Sequence, residues 1–167
     1  MIDVMSLKPA DDVISNRLTE VHGVWKRIAG GRLAPRRDEL APSLLRNALP
    51  WIWVVDSVDG GADFRFRLAG DRVIQFMGQR YSGSLLSKHL DGAFFKGMKA
   101  MFGECLRRRA PVASGPRRAS LEGKEFLDIE VLALPLSEDG KTVTALFGAI
   151  DVRPRGGFSA TGPGASV

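Results

Sequence analysis

From Ile14 the apolar positions recur at Leu18, Val21, Trp25 and Ile28, in steps of four, three, four and three, which puts all five on one stripe of a helix. Asp11, Asp12 and Ser15 offer acceptors near its start, and Gly30-Gly31 ends it. Such a stripe needs cover. It can lie on its own domain or pair with the same helix of a second copy; pairing is favoured, which makes Ile14, Leu18, Val21, Trp25 and Ile28 a candidate homodimer interface. From Arg32 to Ser43, two prolines and mixed charge suit an extended crossing segment, and Ser43 to Leu49 allows one more helical turn before Pro50.

The pattern then changes period. Trp51 to Asp56 is aromatic and β-branched, bounded by Pro50 and by Asp59-Gly60-Gly61, and Phe64 to Leu68 alternates strictly, with Arg65 and Arg67 opposite Phe64, Phe66 and Leu68. The two runs predict a hairpin. Gly70 to Gly83 is broken by glycines and fits short helical pieces, after which Phe95, Met98, Met101, Phe102, Cys105 and Leu106 return to helical spacing and predict a long helix. Three strands follow. Val112 to Leu121 is interrupted by Gly115-Pro116, which confines it to an edge or a bulge. Glu125 to Leu136 alternates as far as Val131 and then becomes apolar on both faces. After an Asp139-Gly140 turn, Thr142 to Val152 is apolar on both faces and belongs in the middle of a sheet. The residues beyond Arg153 are mostly Gly, Ala, Ser and Pro, and a disordered tail is expected over 154–167.

Composition narrows the class. The chain has 167 residues, 44% hydrophobic and 26% charged, which suits one compact globular domain. Its longest apolar run, Ala48 to Val55, contains a proline and falls well short of the roughly 20 residues of a membrane span. The first residues lack a basic leader and an apolar stretch, so no secretion signal is expected and a cytoplasmic location is the default. A single cysteine, Cys105, excludes an internal disulfide framework and a cysteine-rich metal site. The net charge of +5 is uneven: Arg107, Arg108, Arg109, Arg117 and Arg118 fall within twelve residues. An arginine run at a helix end complements the helix dipole without any partner, so a solvated helix end and strand start is expected rather than a nucleic-acid site.

The order of strands and helices over residues 48–153 resembles a PAS domain. The segment WIWVVDSVDGGADFRFRLAG looks like the opening hairpin of that fold, and DRVIQFMGQRYSGSLLSKHL resembles its passage into the helical side. Upstream, WKRIAGGRLAPRRDELAPSLLRNALPWIWVVD resembles a family of short bacterial PAS-like proteins common in alphaproteobacteria. The resemblance implies an α+β fold with a five-stranded antiparallel sheet of order 2-1-5-4-3, helices over one face, and residues 1–47 as a flanking helix and linker. It also implies a sheet surface that dimerises or docks partners. Here Arg65, Arg67, Thr142, Thr144 and Trp51 or Trp53 would supply that surface.

The residues carry little chemistry. Haem-binding relatives need an axial histidine on the long helix, whereas this chain has only His22 and His89, and nothing matches the cysteine motif of flavin photosensors. An apolar cavity lined by Phe66, Met98, Met101, Phe102, Leu127 and Ile129 is the candidate ligand site, although the same residues can simply fill a core. Asp128 and Glu130 would form a proton-transfer pair if they faced a cup. Burying Leu127, Ile129 and Val131 instead gains roughly 1.5 to 3 kcal/mol each, so the acids are expected outside, solvated and inert. The expectation is a non-catalytic sensory or docking module without a cofactor, acting in signalling or localisation through an unidentified protein partner, with no effector segment attached. The alternative is a sensor whose apolar cavity holds a small molecule.

Overall fold

The final run of the chain lies inside the sheet, and the other elements are arranged around it. The computed structural model describes residues 6–158. Its strands are β1 (Leu7–Pro9), β2 (Ile52–Val58), β3 (Asp63–Ala69), β4 (Val112–Arg118), β5 (Leu127–Leu136) and β6 (Ala145–Pro154). Its helices are α1 (Asn16–Ala29), α2 (Asp71–Met77) and α3 (Ala93–Arg108), joined by short 3-10 turns. The strands form one antiparallel sheet in the order β1-β4-β5-β6-β2-β3. β6 pairs with β5 from Ala145 to Pro154 and with β2 along its first half, so a strand apolar on both faces has neighbours on both sides.

This corrects the expected five strands: the sheet has six, so its full order differs, although the five expected runs keep the neighbours assigned to them. A sixth strand, too short to show a period, pairs Leu7 to Pro9 with Ser114 to Val112 and takes the border that the proline-interrupted run was to hold. Pro116 is accommodated at a bulge, where β4 slips by one residue against β5 between Ser114 and Arg117.

The core helices lie over one face, as expected, and the flanking helix is found on the other. α2 and α3 cover the face carrying Trp53, Val55, Phe64, Phe66, Ile129 and Ile150. α1 covers the opposite face, where Leu18, Val21, Val24 and Trp25 pack with Leu132, Leu134, Phe147 and Ala149. The physical reason is the doubly apolar character of β5 and β6, which leaves a second greasy surface in need of cover. The candidate dimer stripe is thereby spent within the chain: Leu18 and Val21 are fully buried, and Trp25 donates its indole N–H to the Pro135 carbonyl at 2.8 Å. Burial of three such side chains contributes roughly 1.5 to 3 kcal/mol each. Only Ile14, at 50% exposure, and the half-buried Ile28 remain reachable.

The acids of β5 face away from α3, as expected, yet they are not solvated. Glu130 is completely buried, and it accepts hydrogen bonds from the Ile14 and Ser15 amides at 2.8 Å each and from Lys8 Nζ at 2.7 Å. Asp128, also buried, pairs with Arg155 and accepts from the Gly156 amide at 2.9 Å. Neighbouring chain segments cover both carboxylates and supply their donors.

The expected docking face loses its tryptophans, while Arg67, Thr142 and Thr144 stay exposed. Trp53 turns inward, Trp51 lies under the Arg17 guanidinium at 4.1 Å, and Arg67 pairs with Asp56 at 2.6 Å. Of the tail, residues 154–158 are described: β6 runs to Pro154, and Phe158 is buried with the Arg153 guanidinium 4.6 Å from its ring. The rest of the expected tail lies outside the described residues.

Candidate functional site

Between the sheet and α2 and α3 lies a cavity of about 50 Å3. Strand alternation builds one wall: Trp53 and Val55 of β2, Phe66 of β3, Ile129 of β5 and Ile150 of β6 point the same way. The helical period builds the other from Phe94, Met98, Met101 and Phe102 of α3. Aromatic contacts stiffen the walls, with Trp53 and Phe102 ring centres 4.9 Å apart and Phe64 edge-on to Phe102 at 5.4 Å. Met98 and Met101 are the adaptable part, since an unbranched thioether side chain changes rotamer at low cost.

Five of the six candidate cavity residues therefore meet in one place: Phe66, Met98, Met101, Phe102 and Ile129 line the hollow. Leu127 does not. It lies at the end of β5, half-buried against the edge of the core cluster.

Four polar residues join the apolar lining: Gln79, Tyr81, Ser82 and Arg117. The Tyr81 hydroxyl accepts from Gln79 Nε2 at 2.8 Å, and its ring stacks edge-on to His89 at 4.7 Å. His89 in turn shares a 3.1 Å hydrogen bond with the Ser84 hydroxyl. Arg117 is different in kind. It pairs with Ile129 and so faces inward, its Nε is buried without a hydrogen-bond partner, and among the described residues it has no ion pair. Burial pulls the Arg117 guanidinium below the usual arginine range. No such inward arginine follows from counting charges, and the solvated reading of the cluster is corrected at this position. The available signal was the Gly115-Pro116 interruption, because a bulge reverses the alternation that follows it.

Three other arginines of the cluster have separate, external attachments. Arg107 and Arg108 bracket Glu104 at 2.8 and 2.9 Å, and Arg109 donates to the Lys141 carbonyl at 2.6 Å.

Among the described residues no carboxylate lines the cavity. The Cys105 thiol is fully buried, and desolvation pushes it up to about 12. His22 is buried on α1, on the other side of the sheet, and burial first, then Lys26, holds it below the usual histidine value. No group of three metal-ligating side chains comes together among the described residues, and none of their helices is long and apolar enough to cross a membrane.

A sequence-family model described as PAS domain matches residues 13–151 of the chain. No curated protein matches it.

Proposed function

This chain belongs to the PAS domain family, and on that premise we propose that it is a sensory module in which occupancy of the inner cavity sets its contact with a protein partner. A PAS domain is a sensory or interaction module, so the question is what this one receives and how it reports. The observation that supports a ligand is the cavity itself, a hollow walled by Phe66, Met98, Met101, Phe102 and Ile129 with a few polar groups among them. An occupant touching Met98 and Met101 bears directly on α3. It would shift the packing between that helix and the sheet, and the outer surface of α3 carries the change to a partner. No chemical step is part of this reading.

Native mass spectrometry of the freshly purified chain, paired with a thermal-shift titration with 1-octanol as an apolar probe, tests it. A small molecule retained under native conditions and lost on unfolding, or a rise in melting temperature with the probe, is the expected result. A uniformly empty chain that no apolar probe stabilises would overturn the sensing reading and leave a docking module that works without a ligand.

A further inference from the structure

We propose that the cavity takes a small molecule with an apolar body and an anionic head, and that Arg117 holds the head. The inference rests on the cavity reading above and goes further, to the chemistry of the occupant.

The first observation is the unmatched charge. Arg117 lines a hollow walled mainly by phenylalanine, methionine, tryptophan, valine and isoleucine, and its Nε is shut off from water without an acceptor. A buried donor left unpaired is destabilising, the more so when charged, and native folds retain such groups where something else satisfies them. Among the described residues nothing on the chain does so: no carboxylate lines the cavity, and the nearby acids of β5 point to the other face.

The second observation is how Arg117 comes to face inward. Ser114 pairs with Val131 on the α3 side of the sheet, and three residues later simple alternation would send Arg117 to the other side. One extra residue at the bulge restores the inward direction, so that Arg117 pairs with Ile129. The bulge depends on Gly115, at φ +88, where a side chain would run into the Ile129 carbonyl and come within 3.2 Å of the Glu130 Cα. The local backbone is thus shaped to aim an arginine at an apolar hollow.

The third observation is the match of shapes. The planar fork of a guanidinium pairs two-to-two with a carboxylate or a phosphate, which gives direction as well as attraction. Arg117 is half-buried as a residue, and Gln79, Tyr81 and Ser82 are the other polar members of the lining, while Phe94, Met101 and Phe102 offer an apolar part. A volume of about 50 Å3 is smaller than a single ring needs, so an occupant of that size enters only as Met98 and Met101 change rotamer.

The test titrates the full chain with octanoate and with 1-octanol, two probes of one chain length that differ in the head, by isothermal titration calorimetry. The wild-type chain is expected to bind octanoate about tenfold or more tightly than 1-octanol. Arg117→Met, which keeps an unbranched apolar stem, is expected to erase that difference while 1-octanol binding stays within about twofold; Arg117→Lys should recover only part of it, since an ammonium lacks the fork. Equal binding of the two probes to the wild-type chain would overturn the anion inference and leave the apolar cavity standing, and the comparison needs no variant to fold. Octanoate binding undiminished in Arg117→Met overturns it too. Failure of both probes to bind the wild-type chain overturns this proposal together with the sensing reading.

Discussion

Glu130 and Asp151 stand directly opposite each other across the β5–β6 pair, both turned to the face that α1 covers. Two like charges in that position repel, and each is held chiefly by donors from the chain that crosses above, with Arg153 of β6 added at Asp151. Glu130 takes the Ile14 and Ser15 amides and Lys8, while Asp151 takes the Ser15 hydroxyl at 2.6 Å, Arg17 at 2.8 Å and Arg153 at 3.0 Å. Ser15 also accepts the Leu18 amide at 3.2 Å as the N-cap of α1. The acids therefore hold the start of the helix on the sheet.

Replacing Glu130 with alanine leaves the buried Ser15 amide, the Ile14 amide and an ammonium without their acceptor, and a loss of about 3 kcal/mol is expected. Urea unfolding reads it as a lower midpoint. Hydrogen exchange should show α1 losing protection ahead of α3, and an unchanged midpoint would refute the anchoring role.

Acid should loosen the same joint. Burial alone would raise the Asp151 carboxyl, but the Ser15 hydroxyl and the Arg153 and Arg17 guanidiniums together hold it below its ordinary 3.8. A carboxyl depressed in the folded state adds stability that is fully present above its unfolded value, and loses it as pH falls through the folded value. Stability from this group is thus expected to drop from about pH 4 downward. Urea midpoints measured across that range should fall less steeply in Asp151→Asn; parallel curves would remove Asp151 from the account.

Deleting residues 1–30 uncovers Leu132, Leu134 and Phe147 on the outer face. The expected product is unfolded or aggregated. A well-folded truncated chain of half the native mass in light scattering would instead revive pairing through α1.

Gly148 lies across from Trp53 in the β2–β6 register, and a Cβ there would strike the Leu132 carbonyl and come within 2.7 Å of the Trp53 indole. Gly148→Ala should cost about 1 to 3 kcal/mol by overpacking. Because Trp53 walls the cavity, its fluorescence should shift as well, and an unshifted spectrum with full stability would contradict this contact.

Cys105 offers a reporter of unfolding. At about pH 8.5 an ordinary thiol is half ionised, whereas this one, pushed up to about 12 by burial, stays protonated and shielded. A thiol reagent should label the native chain only through its unfolded fraction, so that labelling tracks urea. Rapid labelling of the folded chain would show an opening at α3.

The legible parts of the fold were those with a long, clean period. The α1 stripe from Leu18 to Trp25, the hairpin phenylalanines Phe64 and Phe66 and the α3 series from Met98 to Cys105 each repeat often enough to declare a buried side. They also brought five cavity residues together. Leu7–Pro9 escaped because three residues carry no period, and it is ordered by the open edge of β4 and by Lys8 reaching Glu130. Arg117 escaped because a single inserted residue inverts the parity of a strand, and a proline signals an interruption without saying which way the chain leaves it.

Periodicity by itself settled which side of each helix and strand is apolar, and the doubly apolar last run settled which strand takes the middle of the sheet. Only the tertiary structure decided what covers each side. The α1 stripe could have met its own sheet or a second copy, Asp128 and Glu130 could have met water or donors from other segments, and Arg117 could have pointed out or in. Those outcomes depend on contacts from 27 positions apart, at Asp128 and Arg155, to more than a hundred, and on one bulge. Local pattern records the demand for burial, whereas the supply comes from wherever the chain returns.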